Sequence, residues 1–474
     1  MLAIFMLALV AAGKTILNDA FDPDTFWHLQ VAQQLLHDGV GPINDTLSFN
    51  SIDRPWTPYS WLGELFMLLI WNLGGWRLSV LVDALMAGMT VVFVAMSCRI
   101  VSGKFLASIV ATALALILLL PMQSFRPVSV VLLLMAASVW LLLRDREQKF
   151  STRAVWCVPV IMLLATNIHL YAFVLLMIVA CAAFDAWPTH PRRAIALVVM
   201  CAIALLMTPM LPGVIDSAVN YAQSDPMVAN GLIAEMSPIY AGWVGMVITL
   251  IIIASVLMVW IRAEGLIGRG WLIAIILCLG LSLWLGRFQT VLAIVLAPAL
   301  ACLMSTLGDS VLSKPKIRVV LALLVGLMLM RIVAGFPDRN VRLSEWANRN
   351  DDLHDAKTGS LPGGVPELAA AFVEASVVPR HGKLINEFTD GGFIAWRLPK
   401  FQVFMDGRTN VHPPEFWTDV FLSDATAKDR RVSRYAADAA ILPGANSRLR
   451  ASLDRLGWRV AFTEPRAVVM LPPE

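Results

Sequence analysis

Charge is scarce in this 474-residue chain: Asp, Glu, Lys and Arg make up 15% of it, against 58% hydrophobic residues. With a mean hydropathy of +0.71, that balance excludes a soluble globular enzyme, a disordered tail and a collagen-like fibre. Repeated apolar runs of about 17 to 22 residues need lipid around them. Cysteine is scarce too. All six, Cys98, Cys157, Cys181, Cys201, Cys278 and Cys302, fall in or at the edge of apolar segments. A thiol there behaves as a small hydrophobe, so no disulfide framework is expected. Also missing are paired His or Cys at metal-ligand spacing, any internal repeat and any low-complexity tract. A net charge of +3 gives no basic face to a nucleic acid, because the short loops use Lys and Arg for membrane orientation. What remains is a multispanning membrane protein.

Apolar runs lie near residues 2–17, 60–74, 77–98, 104–121, 127–143, 154–167, 169–186, 194–211, 239–261, 270–285, 288–306 and 317–335. Four connections are basic: Arg144 to Arg153, His190 to Arg193, Arg262 to Arg269, and Lys314 to Arg318. Short basic loops stay cytoplasmic, which places residues 212–237 and everything after 336 on the opposite side. The acidic stretch 18–59 belongs there as well. Residues 60–74 are therefore read as an interfacial or re-entrant helix of the first external loop, with Trp61 and Trp71 in the headgroup zone. About eleven spans are expected. Residues 1–17 are a span or a cleaved signal peptide, and either reading leaves the first loop outside.

The expected division is a transmembrane domain over 1–337, with an external loop at 18–76, and a soluble domain over 338–474. After a polar linker at 338–364, short apolar strands alternate with helical stretches, as in LINEF, then GGFIAWRL, then FQVFMDG. Helices are expected at 414–423 and 446–456, and strands at 438–443, 458–463 and 467–472. The fold class is mainly α, a polytopic helical bundle with a C-terminal α/β domain.

The densest chemical signal is Asp22-Pro23-Asp24 at the head of a helical stretch from Thr25 to His37. Two carboxylates at this spacing can share a divalent cation, Mg or Mn, or divide roles, one orienting a metal or phosphate and one accepting a proton. Alternatively, one of them simply caps the helix. The stripe Trp27, Val31, Leu35 and Leu36 suggests a helix lying flat on the membrane, with Trp27 and His28 as interface anchors. Asp45, Trp56, Trp61 and Glu64 continue an acidic and aromatic surface suited to sugars, although aromatic belts explain the tryptophans equally well. Asp83, Arg126, Asn167, His169, Arg287 and Arg331 lie in or beside apolar runs, where ionisable groups are costly. Arg126, Asn167, His169 and Arg287 fall toward the outer ends of their helices. Two arginines there suit the phosphate of a lipid-linked donor, or else they snorkel.

The order of six stretches carries a resemblance: DPDTFWHLQVAQQLLHDG (22–39), INDTLSFNSIDRPWTPYSWLGELF (43–66), SFRP (124–127), ATNIHLYAF (165–173), IAEMSP (233–238) and NEFTDGGFIAWRLPKFQVFMDGRTN (386–410). Together they resemble a bacterial branch of the GT-C superfamily of polytopic glycosyltransferases. That superfamily includes protein O-mannosyltransferases and the catalytic subunit of oligosaccharyltransferase. The resemblance implies an enzyme of the bacterial inner membrane with an extracytoplasmic active site. Such an enzyme moves a sugar from a polyprenyl-phosphate donor to a glycan, lipid or protein acceptor, usually with inversion. It puts the catalytic carboxylates at Asp22 and Asp24; beside them, the placement of the residues leads us to expect substrate contacts at Asp45, Arg126, Asn167, His169, Glu235 and Arg287. Tyr59-Ser60-Trp61 lacks the His that relatives often carry before the Trp. In the last stretch, a Gly-Gly turn and a buried Asp406 to Arg408 pair are read as structural.

Two other classes are open to the sequence. A transporter or flippase of a lipid-linked or anionic substrate would place charges near the bilayer midplane and break helices in symmetry-related halves, and neither pattern is present. A non-catalytic glycan-binding scaffold would tolerate replacement of the acidic residues.

Overall fold

The computed structural model describes residues 2–17, 22–120, 123–224, 226–306, 354–355, 359–360, 365–444 and 447–473. The chain divides into two compact units. One takes in Met1–Asn18, Val80–Thr208 and Ile233–Val341; the other takes in Asp19–Ser79, Pro209–Leu232 and Arg342–Glu474. The first external loop thus groups with the C-terminal α/β residues rather than with the helical bundle.

The first unit is built of apolar helices, each on a run legible in the sequence: Leu2–Leu17, Phe105–Leu119, Pro127–Glu147, Cys157–Thr166, Tyr171–Ala186, Pro191–Leu206, Gly242–Ile267, Arg269–Trp284 and Gln289–Thr306. Pro127 and Pro191 open their helices, where a missing N–H removes no helical bond. Small residues let backbones approach: Ala11, Ala87 and Ala113 pack with Leu7, Val91, Leu116 and Leu120 in one buried cluster.

The helix Trp61–Ser102 is interrupted at Gly74 and Gly75, and Gly75 takes φ 58°, a left-handed conformation that only glycine adopts cheaply. The break falls where the expected interfacial segment gives way to the expected span. Among the described residues, four helices are long and apolar enough to cross a membrane, or five if Pro191–Leu206 and Leu211–Val219 form one broken span. Among the described residues, five further runs fold as apolar helices of 10–17 residues, so length alone does not reproduce the count of about eleven. The run at 317–335 and Arg331 lie outside the described residues.

The second unit is built on a five-stranded sheet in the order Gln402–Val403, Lys383–Asn386, Ala439–Pro443, Ala467–Leu471, Arg459–Thr463. The first three strands are parallel, with Leu384 opposite both Val403 and Ala439; the last two join antiparallel. The expected strands at 438–443, 458–463 and 467–472 are present within a residue of their limits. Helices Glu367–Ser376 and Ala425–Ser433 are additions to the sequence reading.

The first loop extends this sheet. Val403 donates its N–H to the Leu47 carbonyl (2.8 Å) and accepts from Phe49 N (3.2 Å), so Ser48 forms a parallel bridge beside the edge strand. The helix Thr25–Asp38 buries Phe26, Leu29, Val31, Ala32 and Leu35. Its Phe26 ring meets Phe393 and Trp396 of the helix Gly391–Arg397, both at 5.1 Å. Each such buried side chain contributes about 1.5–3 kcal/mol. The expectation of a helix lying flat on lipid is therefore corrected: of its apolar stripe, Trp27, Val31 and Leu35 are buried inside the protein and Leu36 alone is exposed.

Candidate functional site

In the second unit, Asp22 and Asp24 form a tight turn ahead of the helix Thr25–Asp38. Asp22 Oδ1 accepts the Asp24 N–H at 2.9 Å, and the Asp22 carbonyl accepts Thr25 N at 3.0 Å. Asp24 stands at the N-cap position, but its side chain makes no capping bond. Its Oδ1 instead accepts the indole N–H of Trp27 at 2.8 Å. Asp22 thus shapes the turn ahead of the helix, and the Asp24 side chain is engaged by Trp27 rather than by the helix N-terminus. Trp27, expected as a lipid anchor, is buried, and so is His28, whose Nδ1 lies 3.0 Å from Glu64 Oε1.

Two C-terminal stretches close on this turn. A Cβ at Gly407 would overlap Asp24 Oδ1 and stand 2.8 Å from Trp27 Nε1; one at Gly392 would stand 3.0 Å from the Pro23 carbonyl and 3.1 Å from Trp27 N. The Gly-Gly pair is therefore not a turn, as expected, but the head of a helix whose bare backbone admits the aspartate loop. The loop carrying Gly407 is itself held. Asn386, fully buried, accepts Phe404 N at 2.8 Å and donates to the Met405 carbonyl at 2.7 Å. Arg408 donates from its backbone N and its Nε to Asp406 Oδ1 (2.9 and 3.0 Å) and from Nη2 to Asp406 Oδ2 (2.6 Å).

Asp45 completes that assembly. Its Oδ1 lies 2.8 Å from Arg408 Nη1, and its Oδ2 accepts the Ser51 hydroxyl at 2.6 Å. Arg408 also lies over the Trp56 ring at 5.2 Å. Asp45 and Asp406 are both fully buried. Burial opposes ionisation of Asp406, and Arg408 overcomes it, holding that carboxyl below its ordinary range. The two aspartates in turn hold the Arg408 guanidinium charged against burial. Asp45, Trp56 and Glu64 are thus enclosed rather than displayed as a sugar-facing surface.

The first unit gathers a second cluster. Arg126 Nη2 lies 2.8 Å from Glu235 Oε2, and Arg287 Nη2 lies 3.3 Å from Glu235 Oε1. Burial raises the Glu235 carboxyl and the two arginines more than reverse it, bringing it down to about 2. The three side chains carry a surplus of one positive charge. His169, in the turn between Cys157–Thr166 and Tyr171–Ala186, stands within electrostatic reach of all three. Tyr171, which the sequence did not single out, donates its hydroxyl to the Arg287 carbonyl (2.9 Å) and its N–H to His169 Nδ1 (3.2 Å). Asn167 donates its amide to the Leu163 and Met207 carbonyls (2.9 and 3.1 Å), tying two helix ends together. The structure therefore joins Arg126, His169, Glu235 and Arg287, and places Asp22, Asp24 and Asp45 in the other unit.

Sequence reasoning missed Trp27 and Gly407 as partners of Asp24. The signal for Trp27 was present: three residues on from Asp24 is one helical turn. Among the described residues, no group of three or more His, Cys, Asp or Glu could hold a metal ion. The donors at the turn are two carboxylates, which suits Mg, an ion commonly held by one or two carboxylates with phosphate and water completing its shell.

No family model and no curated protein matches the chain. Solved structures do. The archaeal oligosaccharyltransferase AglB of Archaeoglobus fulgidus, in complex with an inhibitory peptide and a dolichol-phosphate, matches with a TM-score of 0.60 at 12% identity, over 93% of this chain and 69% of that one. The Archaeoglobus fulgidus oligosaccharyltransferase tethered by a disulfide bond to an acceptor peptide containing the NVT sequon matches at 0.55 and 12% identity, over 93% and 68%. The fold is therefore one shared with these archaeal oligosaccharyltransferases.

Proposed function

We propose that this chain is a glycosyltransferase that moves a sugar from a polyprenyl-phosphate-linked donor to a glycan, lipid or protein acceptor. We place it in the bacterial inner membrane, with the aspartate turn and the C-terminal domain on the extracytoplasmic side. The observation that carries the reading is the Asp24 carboxylate. It stands at a helix N-terminus, does not cap it, and is oriented by the Trp27 indole in a fold shared with oligosaccharyltransferases.

In the proposed reaction a carboxylate of the Asp22, Asp24 pair takes the proton of the acceptor hydroxyl or amide. The acceptor atom bonds to the anomeric carbon as the bond from that carbon to the phosphate oxygen breaks, inverting the centre. The departing phosphate takes the electron pair. In their own unit, Arg126 and Arg287 have the charge and the hydrogen-bond donors to bind a phosphate of a lipid-linked donor, with Glu235 engaging both guanidinium groups and His169 within electrostatic reach. Asp45 serves by locking Arg408. A Mg or Mn ion would be held by Asp22 and Asp24 and would supply charge for the phosphate.

Envelopes from a deletion strain complemented with wild type or Asp24→Asn test the reading. A glycoconjugate should disappear on deletion and return only with wild type. An envelope glycan profile unchanged by the deletion would count against it.

A further inference from the structure

We infer that the C-terminal α/β residues act as the positioning element of the catalytic turn, with Gly407 and Trp27 as positioning residues that fix the Asp24 carboxylate. The inference rests on the reading of Asp24 as a catalytic carboxylate and adds a role to a part of the chain that would otherwise be left to acceptor binding.

The aspartate turn is gripped from two directions within the second unit. The backbone of Gly407 leaves no room for a Cβ beside Asp24 Oδ1, and Gly392 brings its helix against Pro23 and the Trp27 backbone. A carboxylate in that position cannot swing toward Gly407, and the Trp27 indole N–H at 2.8 Å selects which oxygen is engaged. The grip is rigid because its own supports are buried. Asn386 fixes the backbone at Phe404 and Met405, and Arg408 ties Asp406 on one side of Gly407 to Asp45 of the first loop. Ser48 and Asn50 of that loop donate to the Phe404 carbonyl, at 3.2 and 2.7 Å. These supporting bonds converge on the five residues from Phe404 to Arg408. A base displaced by about 1 Å can lose about a hundredfold in rate, so these contacts control turnover rather than affinity.

Three variants of the full-length detergent-solubilised protein test this: Gly407→Ala, Trp27→Phe and, as control, Gly444→Ala. Gly444 has nothing within 4 Å of a built Cβ. Asp24→Asn is measured alongside. With a radiolabelled polyprenyl-phosphate sugar and its acceptor, Gly407→Ala and Trp27→Phe should each lower kcat at least tenfold. The acceptor KM should stay close to wild type even where the midpoint falls, and Gly444→Ala should behave as wild type. A merely structural contact would lower the midpoint and spare kcat. If Gly407→Ala does not fold, Trp27→Phe decides, since it removes one N–H without adding volume. Wild-type kcat in Trp27→Phe and Gly407→Ala, with Asp24→Asn inactive, overturns the inference and leaves the function intact. Full activity in Asp24→Asn overturns both.

Discussion

Replacing Arg408 with Met is the most demanding test of how the second unit is held together. The guanidinium is enclosed between Asp45 and Asp406, both fully buried, and reaches them with three different nitrogens. Removing it strands two carboxylates where water cannot solvate them. Breaking a buried ion pair by deleting one partner costs about 3–5 kcal/mol; Ser51 and the backbone N–H groups of Leu47 and Ser48 still serve Asp45, and the backbone N–H of residue 408 is left to serve Asp406. A domain of about 150–250 residues loses roughly 2–4 °C in Tm for each kcal/mol. Arg408→Met should then lower the midpoint by roughly 6–20 °C. Arg408→Lys keeps the charge but cannot bridge both carboxylates, so it should fall between the two. The triple variant Asp45→Asn, Arg408→Met, Asp406→Asn should recover much of the loss, because no charge is left stranded. The assay is scanning fluorimetry of the detergent-solubilised chain on its 16 tryptophans. A midpoint for Arg408→Met within about 2 °C of wild type would refute the reasoning.

Arg126→Gln and Arg287→Gln should each reduce kcat/KM for the donor about 10- to 100-fold, the cost of a charge-assisted hydrogen bond of about 1.5–3 kcal/mol, and unchanged donor kinetics would remove the phosphate role. Chelation with EDTA should abolish transfer and added Mg or Mn should restore it; undiminished transfer in chelator removes the cation from the account. His412 is buried with neither ring nitrogen hydrogen-bonded, and burial lowers it to about 4, Asp406 and Asp45 opposing and Arg408 and Arg54 adding to the effect. As pH falls from 6.5 toward 4 the unfolded chain takes up a proton that the folded chain refuses, so up to about 3 kcal/mol of stability is lost across that window. Asp390, pushed up to about 6 by burial and then by Glu387, works in the opposite direction. The readout is therefore the difference between wild type and His412→Phe, which should grow as pH falls and would refute the assignment by staying flat.

The helices of the first unit were legible because lipid imposes a single demand, apolar length, that composition displays directly. The C-terminal strands were legible from their alternation with helical stretches. Other features depend on partners far off in sequence. The pairing of Asp45 with Arg408 obeys no spacing rule, so an acidic loop read as a displayed surface proved to be an enclosed ion pair. The apolar face of Thr25–Asp38 has the same pattern whether lipid or Phe393 covers it, and hydropathy cannot distinguish them. Trp27 was assigned to the membrane for that reason. Arg126, Glu235 and Arg287 lay within reach of the sequence, because ionisable groups beside apolar runs are costly enough to mark one another. The count of spans was harder to read because short apolar helices separated by turns such as Asn167–Leu170 satisfy hydropathy without reaching full bilayer length.

The central claim is that Asp24 performs chemistry on a lipid-linked sugar. Purified protein should be offered radiolabelled polyprenyl-phosphate sugars one at a time, with envelope extract as the source of acceptor, and release of carrier phosphate compared between wild type and Asp24→Asn. The account expects one donor to be turned over by wild type and not by the variant, with both proteins binding it and melting alike. Equal turnover by the two proteins, or binding of donors by both with no release from either in the presence of acceptor, would contradict it.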